Sequence, residues 1–343
     1  MKKLAVIFKG FLIGTANIIP GVSGGTMALL LGIYERIINA INNISLGTLK
    51  SILLFFTFKK RHREEFKTQL QKIDVFFIGL IFIGALVSIV ALARLTAFML
   101  EHHHDPTYGF FFGLIIASIV VPFKEIRKKN LMVFILIVLG AALVIGSSLL
   151  LSADQMIEAE KAKFQLRQSS LQGAFSALAS EMHLSPTKML ILVLSGAFSL
   201  AAMILPGISG SFVLLLMGQY FFLIKALSEG YFLILGIFFI GGMAGLMLFS
   251  RLIALLLHKW HNQTMAFLTG LVAGSLWVIW PFRHTAVIGD ISVQGYPKTI
   301  YLGNTIPEKF ALNEGMTLLT VLAGISLVIL MLVIEKKLRK PQA

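Results

Sequence analysis

No cysteine occurs anywhere in the 343 residues, which excludes disulfides, thiolate metal sites and cysteine nucleophiles. Charge is scarce as well. Only 13% of residues are charged, against roughly 25% in soluble globular domains, so a water-soluble fold is excluded. A small-x-small cleavage site is missing after the opening MKKLAVIFKGFLIGTAN. That segment is therefore read as part of the protein and not as a secretory leader. What fills the chain instead is apolar: 57% of residues are hydrophobic and the mean hydropathy is +0.87. Several apolar runs reach the roughly 20 residues that a membrane-spanning helix needs. They are continuous rather than alternating, which points to helices and not to a β-barrel.

The segment NIIPGVSGG, Asn17 to Gly25, returns as MILPGISGS, Met203 to Ser211. Matching Pro20 with Pro206 also aligns Gly10 with Gly196, Gly32 with Gly218 and Tyr34 with Tyr220. A second block, at another offset, aligns Gly79–Leu95 with Gly236–Leu252 and runs on through His104/His261, Gly113/Gly270 and Ser118/Ser275. The chain thus reads as two copies of one unit. The first repeat covers 1–151, with a basic insert at about 44–73; a linker follows at 152–188, and the second repeat covers 189–338. Each unit holds a broken, re-entrant helical hairpin followed by three transmembrane helices. The expected fold is an all-α polytopic membrane protein. An odd number of crossings per unit inverts the second copy relative to the first, an architecture found in many secondary transporters.

The net charge of +14 fits this topology better than it fits a nucleic-acid surface. With both termini in the cytoplasm, eighteen Lys and Arg fall in the cytoplasmic pieces and seven in the two long outer loops. That asymmetry follows the positive-inside rule for a multi-pass protein of the cell membrane. Anionic lipid heads are the further partners such a basic face attracts.

The breaks carry the chemistry. Irregular backbone at membrane depth must be buried in protein or line a polar cavity. Pro20 and Pro206 suit the hairpin tips, because proline interrupts the helical ladder. The half-helix that follows each tip begins with unpaired N–H groups and a partly positive dipole end. Pro20, Gly21, Ser23, Gly24, Gly25 and Thr26, with Pro206, Gly207, Ser209, Gly210 and Ser211, form two candidate sites for a phosphate or carboxylate. Close helix packing through Gly and Ser is the better explanation of a single such motif; its duplication around a proline in register favours the anion site. Arg94 and Arg251 occupy equivalent positions inside apolar segments. Guanidinium geometry suits phosphate, whereas snorkelling to the headgroups is the bland alternative. Glu35 and Asn17, each without a polar partner in the repeat, are candidates for ion coupling, although an interfacial place is the simpler reading of Glu35 and a polar role of Asn17 is confined to one half. EHHHD, Glu101 to Asp105, resembles a metal cluster, but only His104 has a counterpart, so it is read as a solvated loop. Neither a metal nor another cofactor is expected, and no catalytic residue is assigned.

PGVSGGT followed by GIYERI, together with the second PGISGS, resembles the bacterial and archaeal polyprenyl-phosphate translocases. The resemblance extends over essentially the whole chain. It implies return of undecaprenyl phosphate, the carrier lipid of cell-wall synthesis, from the outer to the inner leaflet. It also implies coupling to a proton or sodium gradient. Its motif covers Pro20, Gly21, Ser23, Gly24 and Gly25, and Pro206, Gly207, Ser209 and Gly210; Ser211 departs from the Gly-Gly of the first copy. Transport of another anion fits the same residues. A rhomboid-like intramembrane serine protease is a third reading, since both copies contain GxSG. It needs a base beside the serine, and every His lies near a segment end or in a loop.

Overall fold

The computed structural model describes residues 3–18, 23–45, 47–48, 51, 60–150, 185–228, 230–293, 296–307 and 312–339. Pro20 and Gly21, most of the linker at 152–188 and part of the basic insert lie outside the described residues.

The first half runs α1 (Lys3–Ile18), α2 (Gly24–Leu30), α3 (Tyr34–Asn42), α4 (Lys60–Lys72), α5 (Val75–His102), α6 (His104–Ser118), α7 (Val120–Lys124) and α8 (Leu131–Leu149). The second runs α9 (Pro186–Ile204), α10 (Gly210–Leu216), α11 (Tyr220–Ser228), α12 (Phe232–Lys259), α13 (His261–Val278), the strands β1 (Arg283–Val293) and β2 (Tyr296–Asn304), and α14 (Leu312–Arg339). Among the described residues six helical stretches are long and apolar enough to cross a membrane: α5, α6 with α7, α8, α9, α12 and α14. Their starts obey local rules. Asn130 and Ser185 cap α8 and α9 by accepting from the amides of Val133 and Lys188, and Pro186 occupies the first turn of α9, where a missing N–H costs nothing.

Helices bathed in lipid gain little from burying apolar faces, so close backbone approach decides which of them pair. Glycines supply that approach here. α1 lies on α5 with Gly10 against the Ile81 carbonyl and Gly84 against that of Ile7; α9 lies on α12 with Gly196 against Phe238 and Gly241 against Val193. These are the same positions in the two repeat registers. The remaining long helices exchange partners between the halves. α6 packs on α14 through Gly113 and Gly324, and α8 packs on α13 through Gly140 and Gly270.

Two features were absent from the sequence reading. Each second hairpin arm is itself broken. α2 and α10 both end in a Schellman turn: the Gly32 and Ile33 amides bond Leu29 and Ala28, and those of Gly218 and Gln219 bond Leu215 and Leu214. Gly32 and Gly218 hold φ of +63° and +67° there, a conformation that favours glycine. α10 and α11 consequently meet at a bend of 116°. The all-α expectation also needs an addition. The 282–315 loop contains an antiparallel hairpin in which Ala286 pairs with Ile300 and Val287 with Thr299.

Candidate functional site

The tips of the two broken hairpins touch. Ser23 caps α2: its Oγ accepts from the Gly25 amide at 3.1 Å and donates to the Leu205 carbonyl at 3.2 Å. In return the Gly207 amide donates to Thr26 Oγ1 at 3.0 Å. A Cβ on Gly25 would stand 2.8 Å from the Ile204 carbonyl oxygen, so only glycine allows this approach. The glycine expected to admit a ligand thus admits the backbone of the other hairpin. Gly207 turns at φ +80°, with Leu271 of α13 behind it.

The two half-helix starts differ in how their first amides are satisfied. At α2, Gly24 donates to Asn17 Oδ1 at 2.9 Å and Gly25 donates to Ser23 Oγ. The Asn17 position in the second copy is Met203, which offers no such oxygen; its Cγ would meet a Cβ on Gly210. Ser209 makes no capping bond, and its Oγ lies 2.8 Å from Ser211 Oγ. Among the described residues no acceptor meets the amides of Gly210 or Ser211. Ser23 and Thr26 are buried, Ser209 is half-buried and Ser211 is exposed. Pro206 is buried behind the second tip. One site is therefore closed on itself, while the other presents two hydroxyls and two unpaired amides.

The remaining candidates sit around these tips rather than in them. Arg94 is exposed on α5. Arg251, exposed on α12, donates from Nη2 to the Ile44 carbonyl at 3.4 Å. Glu35, in the first turn of α3, has Oε1 at 3.4 Å from His261 Nε2. Asn17 is the Gly24 acceptor already described. In EHHHD, His102 and His103 are exposed, whereas His104 is buried with Nδ1 at 2.8 Å from Asp105 Oδ1, and Asp105 accepts from Asn313 of α14. Neither Ser23 nor Ser209 has a histidine among these partners.

One cation escaped the sequence reading. Lys9, within α1, donates from Nζ to the carbonyl of Leu31, the C-cap of α2. A cation suits that end because the last carbonyls of a helix carry partial negative charge. Its signal was a basic residue inside an apolar hairpin arm whose repeat counterpart is Ser195.

A family described as undecaprenyl phosphate translocase-like matches residues 13–295. The chain is 33% identical over 290 residues to a polyprenyl-phosphate transporter of Vibrio cholerae, an alignment covering 83% of this chain and 80% of the relative. It is 30% identical over 292 residues to a polyprenyl-phosphate transporter of Staphylococcus aureus, covering 82% and 88%. No solved structure matches.

Proposed function

The chain belongs to the undecaprenyl phosphate translocase-like family, and we propose that it returns polyprenyl phosphate from the outer to the inner leaflet of the cell membrane. The observation that carries the reading is the second hairpin tip. The unpaired amides of Gly210 and Ser211, with the Ser209–Ser211 hydroxyl pair that can turn toward an incoming anion, are the donors that a phosphate monoester accepts from. Pro206 and Gly207 shape the approach. In the first copy, Ser23, Gly24 and Gly25 are the equivalent donors, and in this state they bond to protein, while Thr26 Oγ1 accepts from the Gly207 amide. Moving the charged head through hydrocarbon unpaired is the main barrier to flipping. A path lined by donors removes it while the isoprenoid tail stays in lipid.

The two copies are inverted in the membrane, with both termini in the cytoplasm, so each tip serves one leaflet. Arg94 then stands toward the outer leaflet and Arg251 toward the inner one, and each is a partner for the phosphate as it enters or leaves. A proton or sodium gradient drives the return, with Glu35 as the coupling carboxylate and Asn17 holding the first tip. The bonding of the two motif serines favours transport over hydrolysis, because each hydroxyl meets protein oxygen or amide and not an imidazole.

Leaflet-resolved assay of polyprenyl phosphate in proteoliposomes, with and without imposed proton or sodium gradients, tests this. Gradient-dependent inward movement is expected. No movement under any gradient, or labelling of Ser23 or Ser209 by a serine-directed fluorophosphonate, would overturn it.

A further inference from the structure

The two hairpins share a sequence pattern and differ in surroundings. α2 packs on α6, α7 and α9, and six of its seven residues are buried. α10 packs chiefly on its chain neighbours α9 and α11 and buries Gly210 alone. The second arms differ in the same sense. α3 crosses to α12 of the other half, whereas among the described residues no comparable packing joins α11 to α5.

Specific bonds hold the α3 crossing. Glu35 meets His261 at 3.4 Å, and Arg251 donates to the Ile44 carbonyl. The repeat register carries Glu35 to Phe221, Ile44 to Gly230, His261 to His104 and Arg251 to Arg94. Among the described residues no comparable packing joins the elements of these counterpart pairs: His104 meets Asp105 and Tyr108, and Arg94 is exposed. The glycine-notched pairs α1–α5 and α9–α12 are nonetheless the same in both halves. Two halves alike in their rigid pairs and unlike in the packing of their hairpin arms are the signature of a bistable element in one of its two states.

We infer that Glu35–His261 and Arg251–Ile44 form the closed one of two gates. In the opposite state α11 closes on α5, bringing Phe221 against His104 and Arg94 to the chain end at Gly230, while α3 leaves α12. This rests on the transporter reading above and deepens it. It gives the two arginines a gating contact that alternates with release of the guanidinium toward the phosphate path. Arg251 is engaged in the state described here, and Arg94 is released.

Absence of native cysteine makes the test direct. The pairs Glu35→Cys/His261→Cys and Phe221→Cys/His104→Cys are treated with a short bis-methanethiosulfonate linker in proteoliposomes. Ile44→Cys/Arg251→Cys provides a second probe of the first gate. Each pair is expected to link, never both gates in one four-cysteine molecule, and reduction should free both thiols and restore linking at the other gate. Linking at 221/104 should also expose a Ser23→Cys thiol to alkylation and protect Ser211→Cys. Failure of 221/104 to link while 35/261 does, or both links forming in the same molecule, overturns the inference. Mutually exclusive links, where the unsubstituted protein moves no polyprenyl phosphate, would sustain the gates and reject only the substrate.

Discussion

At the scale of single residues, the two motif serines share a sequence context and have different duties. Ser23 caps a helix and bridges to Leu205, whereas Ser209 does neither. Ser23→Ala should therefore lower stability by about 1 kcal/mol, the usual loss on removing an N-cap. Ser209→Ala should leave thermal unfolding in detergent nearly unchanged and slow transport instead. Equal melting losses in the two variants would show that the caps do not differ. Asn17 and Met203 extend the contrast. Met203→Asn places an amide oxygen beside Gly210, as Asn17 does beside Gly24. It should stabilise the second tip by about 0.5–1.5 kcal/mol, one hydrogen bond's net worth. It should also weaken lipid-phosphate transport by occupying the donors the substrate needs; a stabilised variant with undiminished transport would remove the phosphate from that tip.

At the scale of elements, glycine decides which helices meet. A Cβ on Gly113 or Gly270 runs into backbone, the Val321 carbonyl in one case and the Ile137 carbonyl in the other. Gly113→Leu and Gly270→Leu should push α6 from α14 and α13 from α8 to a similar degree. Overpacking of this kind costs roughly 1–3 kcal/mol or more, and both variants should lose monodispersity and melt at lower temperature. Gly236→Leu, at a position with nothing within 4 Å of its Cβ, is the matched control and should behave like the parent protein. Loss of folding at position 236 alone would contradict the packing described.

For the whole molecule, the proposed topology puts two groups of contacts between chain segments on opposite sides. His261 meets Glu35 and Asn262 accepts from the Arg127 amide, while Asn313 meets Asp105 and the Trp280 indole donates to Thr305. In the proposed inverted topology the first group lies on the cytoplasmic side, where basic residues concentrate, and the second on the outer side. Lys128 and Gly303, both exposed, belong to opposite groups. Impermeant thiol labelling of Lys128→Cys and Gly303→Cys in oriented vesicles should therefore occur from opposite sides. Labelling of both from one side would refute the inverted arrangement.

The sequence by itself determined the medium and the parts list. Scarce charge and long apolar runs mark lipid as the solvent, because each helix must satisfy its own backbone there. Duplicated Pro-Gly-x-Ser-Gly marked the breaks, since those residues act on the backbone at the place where they stand. Even the second break was written in Gly32 and Gly218, aligned in the repeat and passed over because a glycine's φ is set by the turn around it. Tertiary structure decided the rest. An apolar helix in lipid shows no polar face to reveal its partner, so the exchange of α6 and α8 between halves was not legible in the hydrophobic pattern. Lys9 gained a role only when the end of α2 was brought to it. The inequality of the two hairpins is only partly written in the chain, as Asn17 against Met203 and Gly25 against Ser211; that the motif is buried against α6, α7 and α9 in one half and left open in the other was decided by packing.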